Sequence, residues 1–344
     1  MRAAVFADVG RLSLEDRPEP TPAPDEVLLE VQACGICGTD VQILSVPPRH
    51  PARPGVILGH EFVGIVRGRG SAVRGLDPGE RVAVLTDVPC RSCRWCRRGL
   101  AAHCEDLRSL GIFEDGGLAP AVAVPASACY PIADHVPSEI ACLAEPIACA
   151  LQGLRRVSLT PGDAAAVLGG GPMGLIFAAL LRAGGAGSVL VVEPSERRRH
   201  LAGLLGTSHA IDPSAEEPAS AIRERTDGLG ADLVVDAVGA QLETALAAVR
   251  PGGQVLLFGM DQRAVTSVRQ FDLTARAVRV VGTFAGTSSF ADATRVLETG
   301  LVDWTPLVTH VLPLEGIRDG LELVRSRVGL KVVISLSLSD DPRA

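Results

Sequence analysis

Residues 164–181, AAAVLGGGPMGLIFAALL, run for 18 positions without a charge. That length invites comparison with a membrane span, but Gly169-Gly170-Gly171-Pro172 at its centre breaks any single helix. A strand, a tight turn and a helix accommodate the stretch better, and no membrane partner is expected. The turn spells G-x-G-x-x-G with Gly169, Gly171 and Gly174. Glycines at that spacing permit the sharp turn, let the backbone approach a pyrophosphate and let helix pack closely on strand, while the helix N-terminus attracts phosphate. The next apolar run, SVLVVE, ends in Glu193, 24 positions after Gly169, where a carboxylate for the ribose hydroxyls is expected. The combination predicts a dinucleotide site. Because a carboxylate accepts from the ribose diol and repels a 2'-phosphate, Glu193 favours NAD over NADP. Arg197, Arg198 and Arg199 keep NADP open as the alternative, since a nearby arginine can hold that phosphate.

The 344 residues exceed what one hydrophobic core usually organises, about 250 to 300 residues, so two domains are expected. The first 130 residues carry short β-like runs between Pro and Gly, such as EVLLEVQA (26–33), FVGIVRG (62–68) and RVAVLT (81–86). From about 160, apolar strands alternate with helical stretches, the pattern of crossover units on a parallel sheet buried on both faces. After about 285 the texture mixes again: helix-like FADATRVLETG, β-like LVTHVLPL, helix-like EGIRDGLELVRS and a closing strand, LKVVISL. The expected organisation is an α/β domain at 151–285 inserted in a β-rich one made of 1–150 and 286–344, with a loose tail at 337–344.

A formal net charge of -7 argues against a general attraction to nucleic acid or anionic membrane and leaves a small diffusible substrate. Among 33 basic residues Lys331 is the only lysine, so single arginines carry little functional weight. The start, MRAAVFADVG, lacks the charged and long apolar regions of a signal peptide, and a cytoplasmic location is expected. Nine cysteines in such a setting are reduced, metal-bound or buried rather than paired.

Four of them, Cys90, Cys93, Cys96 and Cys104, form C-x2-C-x2-C-x7-C, a strong metal-site spacing. Arginines at 91, 94, 97 and 98 could suggest a nucleic-acid module there, but the acidic whole makes them a solvated loop face. Elsewhere, CGICGTD (34–40), GHEFVG (59–64) and LAEPIACA (143–150) contribute Cys37, His60, Glu61 and Glu145. A thiolate, an imidazole and carboxylates suit zinc when one coordination place stays open. Spacing alone does not join these four. Cys34, Cys129, Cys142 and Cys149 read as packing residues.

The order of these motifs, CGICGTD, GHEFVG, the four cysteines, EP and GGGPMG, resembles the zinc-dependent medium-chain dehydrogenase/reductase family, the alcohol dehydrogenase superfamily, over nearly the whole chain. The resemblance implies an α/β fold: a Rossmann doubly wound parallel sheet inserted in a β-rich GroES-like catalytic domain, with a structural zinc lobe at 89–105. It implies two zinc ions per chain. Cys37 and His60 would be catalytic zinc ligands, Glu61 and Glu145 a ligand and a near ligand, and Cys90, Cys93, Cys96 and Cys104 would hold a structural zinc that leaves no open place for substrate. Thr39 would relay a proton or cap a helix, and Asp40 would orient His60 or cap the same helix. Cofactor contacts are expected at Gly169, Gly170, Gly171, Pro172, Met173, Gly174, Glu193, Arg198, Val238, Phe258 and Thr283. Glutamate in AEP looks like the polyol and threonine dehydrogenase branch, implying a hydride exchanged between NAD and a secondary alcohol or ketone on a polyol, sugar, cyclitol or amino alcohol. An NADPH-dependent aldehyde or ketone reductase is the alternative, and a non-catalytic binding protein a more remote one. Family members form homodimers and homotetramers. Two departures stand out: Gln42 replaces a branch histidine, and Pro120-Ala121 replace the usual Glu-Tyr after GG-x-A.

Overall fold

The structure, a computed structural model, describes residues 1–337; beyond Ser337 the expected tail lies outside the described residues. Two units are present. Among the described residues Met1–Ala148, Gly286–Gly300 and 308–337 form one, and Cys149–Ala285 with Leu301–Leu307 form the other.

In the second unit six parallel strands stand in the order His209–Ile211, Ser188–Val192, Ala164–Leu168, Ala231–Asp236, Val249–Leu257 and Arg279–Gly282. In chain order this is 3-2-1-4-5-6, the doubly wound arrangement whose ligand crevice lies where the order reverses, between Ala164–Leu168 and Ala231–Asp236. The central strands are apolar on both faces because helices cover both: Ala165–Leu168, Val189–Val192 and Leu233–Asp236 are all buried. The uncharged stretch divides into strand Ala164–Leu168 and helix Pro172–Ala183. Among the described residues no helix is long and apolar enough to cross a membrane. Helix Gln270–Arg276 and edge strand Arg279–Gly282 were not legible, being short, charged and largely exposed. The excursion Leu301–Leu307 is anchored by buried Trp304 and Leu307.

In the first unit the strands run Val308–Pro313, Lys331–Ser335, Glu26–Ile36, Glu61–Arg69, Arg81–Val84 and Cys129–Pro131, and Ala121–Pro125 also pairs with Glu26–Ile36. An antiparallel hairpin, Arg2–Asp8 with Arg11–Asp16, packs on their core. Strand register gathers residues that lie far apart in the chain. Gly35 is opposite Glu61, and Val332 opposite Ile36, so Cys37, Glu61 and Lys331 come together at one end of three adjacent strands.

Candidate active site

Strand Glu26–Ile36 runs directly into Cys37 and the helix Gly38–Ile43. The fold of that corner is set by Asp40, 1% exposed, whose Oδ2 accepts the Cys37 backbone N–H at 2.8 Å in a reciprocal helix cap. Cys37 Sγ lies 3.6 Å from Thr39 Oγ1. His60 is delivered by Gly59, whose φ of 95° favours glycine and where a Cβ would press on Cys34 Sγ and the Leu118 side chain. The Cys37, His60 and Glu61 donor atoms all lie within 4.8 Å of one another.

The charges here are buried. Glu61 is 1% exposed and its Oε2 lies 2.5 Å from the Nζ of Lys331, itself 3% exposed. Burial alone would discharge the lysine, but the charges of Glu61 and Cys37 outweigh it and hold the ammonium above its ordinary range. His60 behaves alike: burial disfavours its cation, yet Asp40 and Cys37 keep its pKa well above the usual imidazole value. Asp40 Oδ1 stands 3.6 Å from His60 Nδ1, too far for a hydrogen bond, and neither atom has a partner. Two orphaned buried polar atoms beside a thiolate, an imidazole and a carboxylate fit a divalent metal of zinc's softness, which would displace the imidazole proton.

Glu145, in the first turn of helix Ala144–Leu154, does not join that cluster; it lines a small cavity with Thr86, Asp87 and Thr287. Lys331 was missed by sequence reasoning, although its being the sole lysine in an otherwise apolar strand was the available signal.

The four sulphurs of Cys90, Cys93, Cys96 and Cys104 also lie mutually within 4.8 Å. Cys96 opens one short turn, Cys96–Arg98, and Cys104 follows another, Ala101–His103, with no buried residue in either. Hydrogen bonds from Ser92 and then Cys93 bring the Cys90 thiol down to about 6, whereas desolvation and the thiols of Cys93 and Cys104 push Cys96 up to about 12. Crowded thiols of this kind ionise together only around a cation. Arg94 pairs with Glu105 at 2.6 Å and covers Trp95, and Arg91 donates to the Ser127 carbonyl, so these arginines serve the lobe itself.

In the other unit, Gly169 turns the chain with φ 101° and Pro172 opens the helix. A Cβ at Gly174 would strike the Gly169 carbonyl, which is why helix and turn approach this closely only with glycine. Gly171 caps the helix without a side-chain bond, leaving its first N–H groups open to an anion. Glu193 is 5% exposed; its Oε2 accepts from Gly170 N at 2.8 Å and its Oε1 from Ser195 N at 2.9 Å. Arg199 donates to the Glu193 and Pro194 carbonyls and pairs with Asp212 at 2.9 Å, so its guanidinium is already engaged within the unit. Arg198 lies on the same helix, Glu196–Leu204. Val238 sits against the Gly169 turn, Phe258 packs edge-on against Phe177, and Thr283 Oγ1 is buried without a partner. Met173 is half-buried in the first helical turn. Asp236, missed from the sequence, accepts from Val238, Gly239 and Gln241 N–H groups and so shapes the loop after the fourth strand.

Residues 23–134 match the alcohol dehydrogenase GroES-like domain, and residues 172–299 match the zinc-binding dehydrogenase domain. The L-threonine 3-dehydrogenase of Caldanaerobacter subterraneus subsp. tengcongensis is 33% identical over 327 residues, covering 92% of each chain. The chain belongs to the zinc-binding alcohol dehydrogenase family. Among solved structures of that family, an NADP-bound zinc-binding dehydrogenase from Sinorhizobium meliloti 1021 is 32% identical with a TM-score of 0.93, covering 97% of this chain and 98% of that one. Alcohol dehydrogenase TADH from Thermus sp. ATN1 is 31% identical with a TM-score of 0.90, covering 97% and 99%. The family and the fold are thus those that the order of motifs implied. Zinc and a nicotinamide dinucleotide are the cofactors of such an enzyme.

Two variants probe the buried charges and the thiol lobe. Lys331→Met strands the Glu61 carboxylate and should cost the metal-free protein about 3 to 5 kcal/mol in urea unfolding, most of it recovered when Glu61→Gln is added. Cys93→Ser should lower zinc content and melting temperature before it touches hydride transfer; a folded Cys93→Ser protein lacking only turnover would place the chemistry in the lobe instead.

Proposed function

We propose that the protein oxidises a secondary alcohol to a ketone with NAD, and reduces the ketone in reverse, with Cys37, His60 and Glu61 holding the catalytic zinc. The observation that carries this reading is the meeting of those three donors beside two orphaned buried polar atoms. A bound zinc supplies Lewis acidity, which makes a substrate hydroxyl acidic and polarises a ketone. Asp40 holds Cys37 in place through its backbone N–H and lends negative charge to the His60 ring. Lys331 fixes Glu61 and neutralises it. Thr39, beside the Cys37 sulphur, is the hydroxyl that carries the proton outward, since Gln42 offers no titratable group for a longer relay. The balance is simple: the carbinol carbon gives a hydride to the nicotinamide, the hydroxyl gives a proton to water, and ketone and NADH leave.

Similarity to an L-threonine 3-dehydrogenase supports a secondary alcohol on an amino alcohol or polyol. Glu193, pinned by two backbone N–H groups, supports NAD. Cys90, Cys93, Cys96 and Cys104 take the structural zinc. Self-association is also part of this reading, because edge strand Arg279–Gly282 is unpaired on one side among the described residues and Phe271, Val265 and Val280 are exposed near it in sequence.

His60→Ala should reduce turnover at least about a thousandfold, roughly 4 kcal/mol in barrier, while NADH binding followed by fluorescence persists; loss of both together would mean unfolding. Glu193→Ser should raise the ratio of kcat/KM for NADP over NAD by about tenfold or more, worth roughly 1.4 kcal/mol. An unchanged ratio would count against Glu193 as the selector.

A further inference from the structure

Glu61 stands among the metal donors with an ammonium already on it. Lys331 Nζ lies 2.5 Å from Glu61 Oε2, while Oε1 has no hydrogen-bond partner among the described residues. Three strands set this contact. Gly35 faces Glu61 across one strand pair, and Val332, next to Lys331, faces Ile36 across the other. A Cβ at Gly35 would take the space of Glu61 Oε2, so glycine there is what lets the carboxylate lie against the lysine. The contact bears on how many donors a cation meets. Catalytic zinc keeps three protein donors and one open place. Cys37 and His60 offer one donor atom each, so Glu61 leaves the fourth place open if it gives one oxygen and fills it if it gives both. Lys331 already holds one of the two. Its charge also weakens the remaining oxygen as a donor, because opposite charges this close and this well buried interact strongly.

We propose that Lys331 is a positioning residue that restricts Glu61 to a single oxygen, and so keeps one place of the catalytic metal site free for substrate at a cost in metal affinity. The inference rests on the proposed zinc site and concerns what holds that site open. Its sign sets it apart from a bracing role. A lysine that only steadied the sheet would help the site keep its metal, whereas this one loosens it.

Competition for zinc between the full-length protein and a coloured chelator tests this. Two zinc affinities are expected, and the one missing from Cys37→Ser belongs to this site. Lys331→Met should hold that zinc at least about tenfold more tightly, while kcat/KM for the alcohol falls at least about tenfold and NADH binding is unchanged. Lys331→Gln keeps a hydrogen-bond donor for Oε2 without the charge and should tighten zinc at least about threefold, which carries the measurement if Lys331→Met does not fold. In a Glu61→Gln protein, adding Lys331→Met should change zinc affinity by less than about threefold, because the lysine acts through the carboxylate. Zinc held no more tightly by either lysine variant, or a tightening that persists in full with Glu61→Gln, would overturn the inference. A protein with no zinc affinity that depends on Cys37 would instead sink the proposed oxidation, whereas a Cys37-dependent affinity indifferent to Lys331 sinks this inference alone.

Discussion

Charge buried in a β-sheet is tolerable only when it is answered, and the first unit is organised around one such account. The Cys37 sulphur and the Asp40 and Glu61 carboxyl groups gather where three adjacent strands end, and Lys331 answers them with its charge. Without metal, a proton held on His60 makes up part of the deficit. A divalent cation there would add positive charge and leave the imidazole free to act as a ligand. The sheet register, the Gly59 turn and the Asp40 cap are therefore better understood as devices for assembling compensating charges than as separate local motifs.

The second unit depends on closeness rather than charge. Three neighbouring strands end at one edge in Gly169, Glu193 and Asp236, where ligands of open parallel sheets bind. Two of these ends are tied by backbone hydrogen bonds: Glu193 to the glycine turn, Asp236 to the following loop. The two carboxylates therefore shape the surface a dinucleotide meets. Neither carboxylate is free to turn away from that surface.

Much of this was readable beforehand, for definable reasons. The glycine turn, its flanking apolar strands and the four-cysteine spacing are local patterns, and local patterns survive without knowledge of the fold. Cys37 lies more than 20 residues before His60 and Glu61, and the three became one set only through family resemblance; the register explains why they meet. Lys331 was out of reach because it arrives from a strand some 270 positions away. Glu145 has the chemistry of a metal ligand and lines a small cavity, outside the three residues whose donor atoms lie within 4.8 Å of one another.

The sole lysine has a further consequence. With Lys331 3% exposed and its amine locked to Glu61, the folded surface offers amine-directed reagents nothing on any described side chain. Acylation at position 331 can proceed only when strand Lys331–Ser335 parts from its neighbours. That single nitrogen is thus a natural reporter of how often this end of the sheet opens.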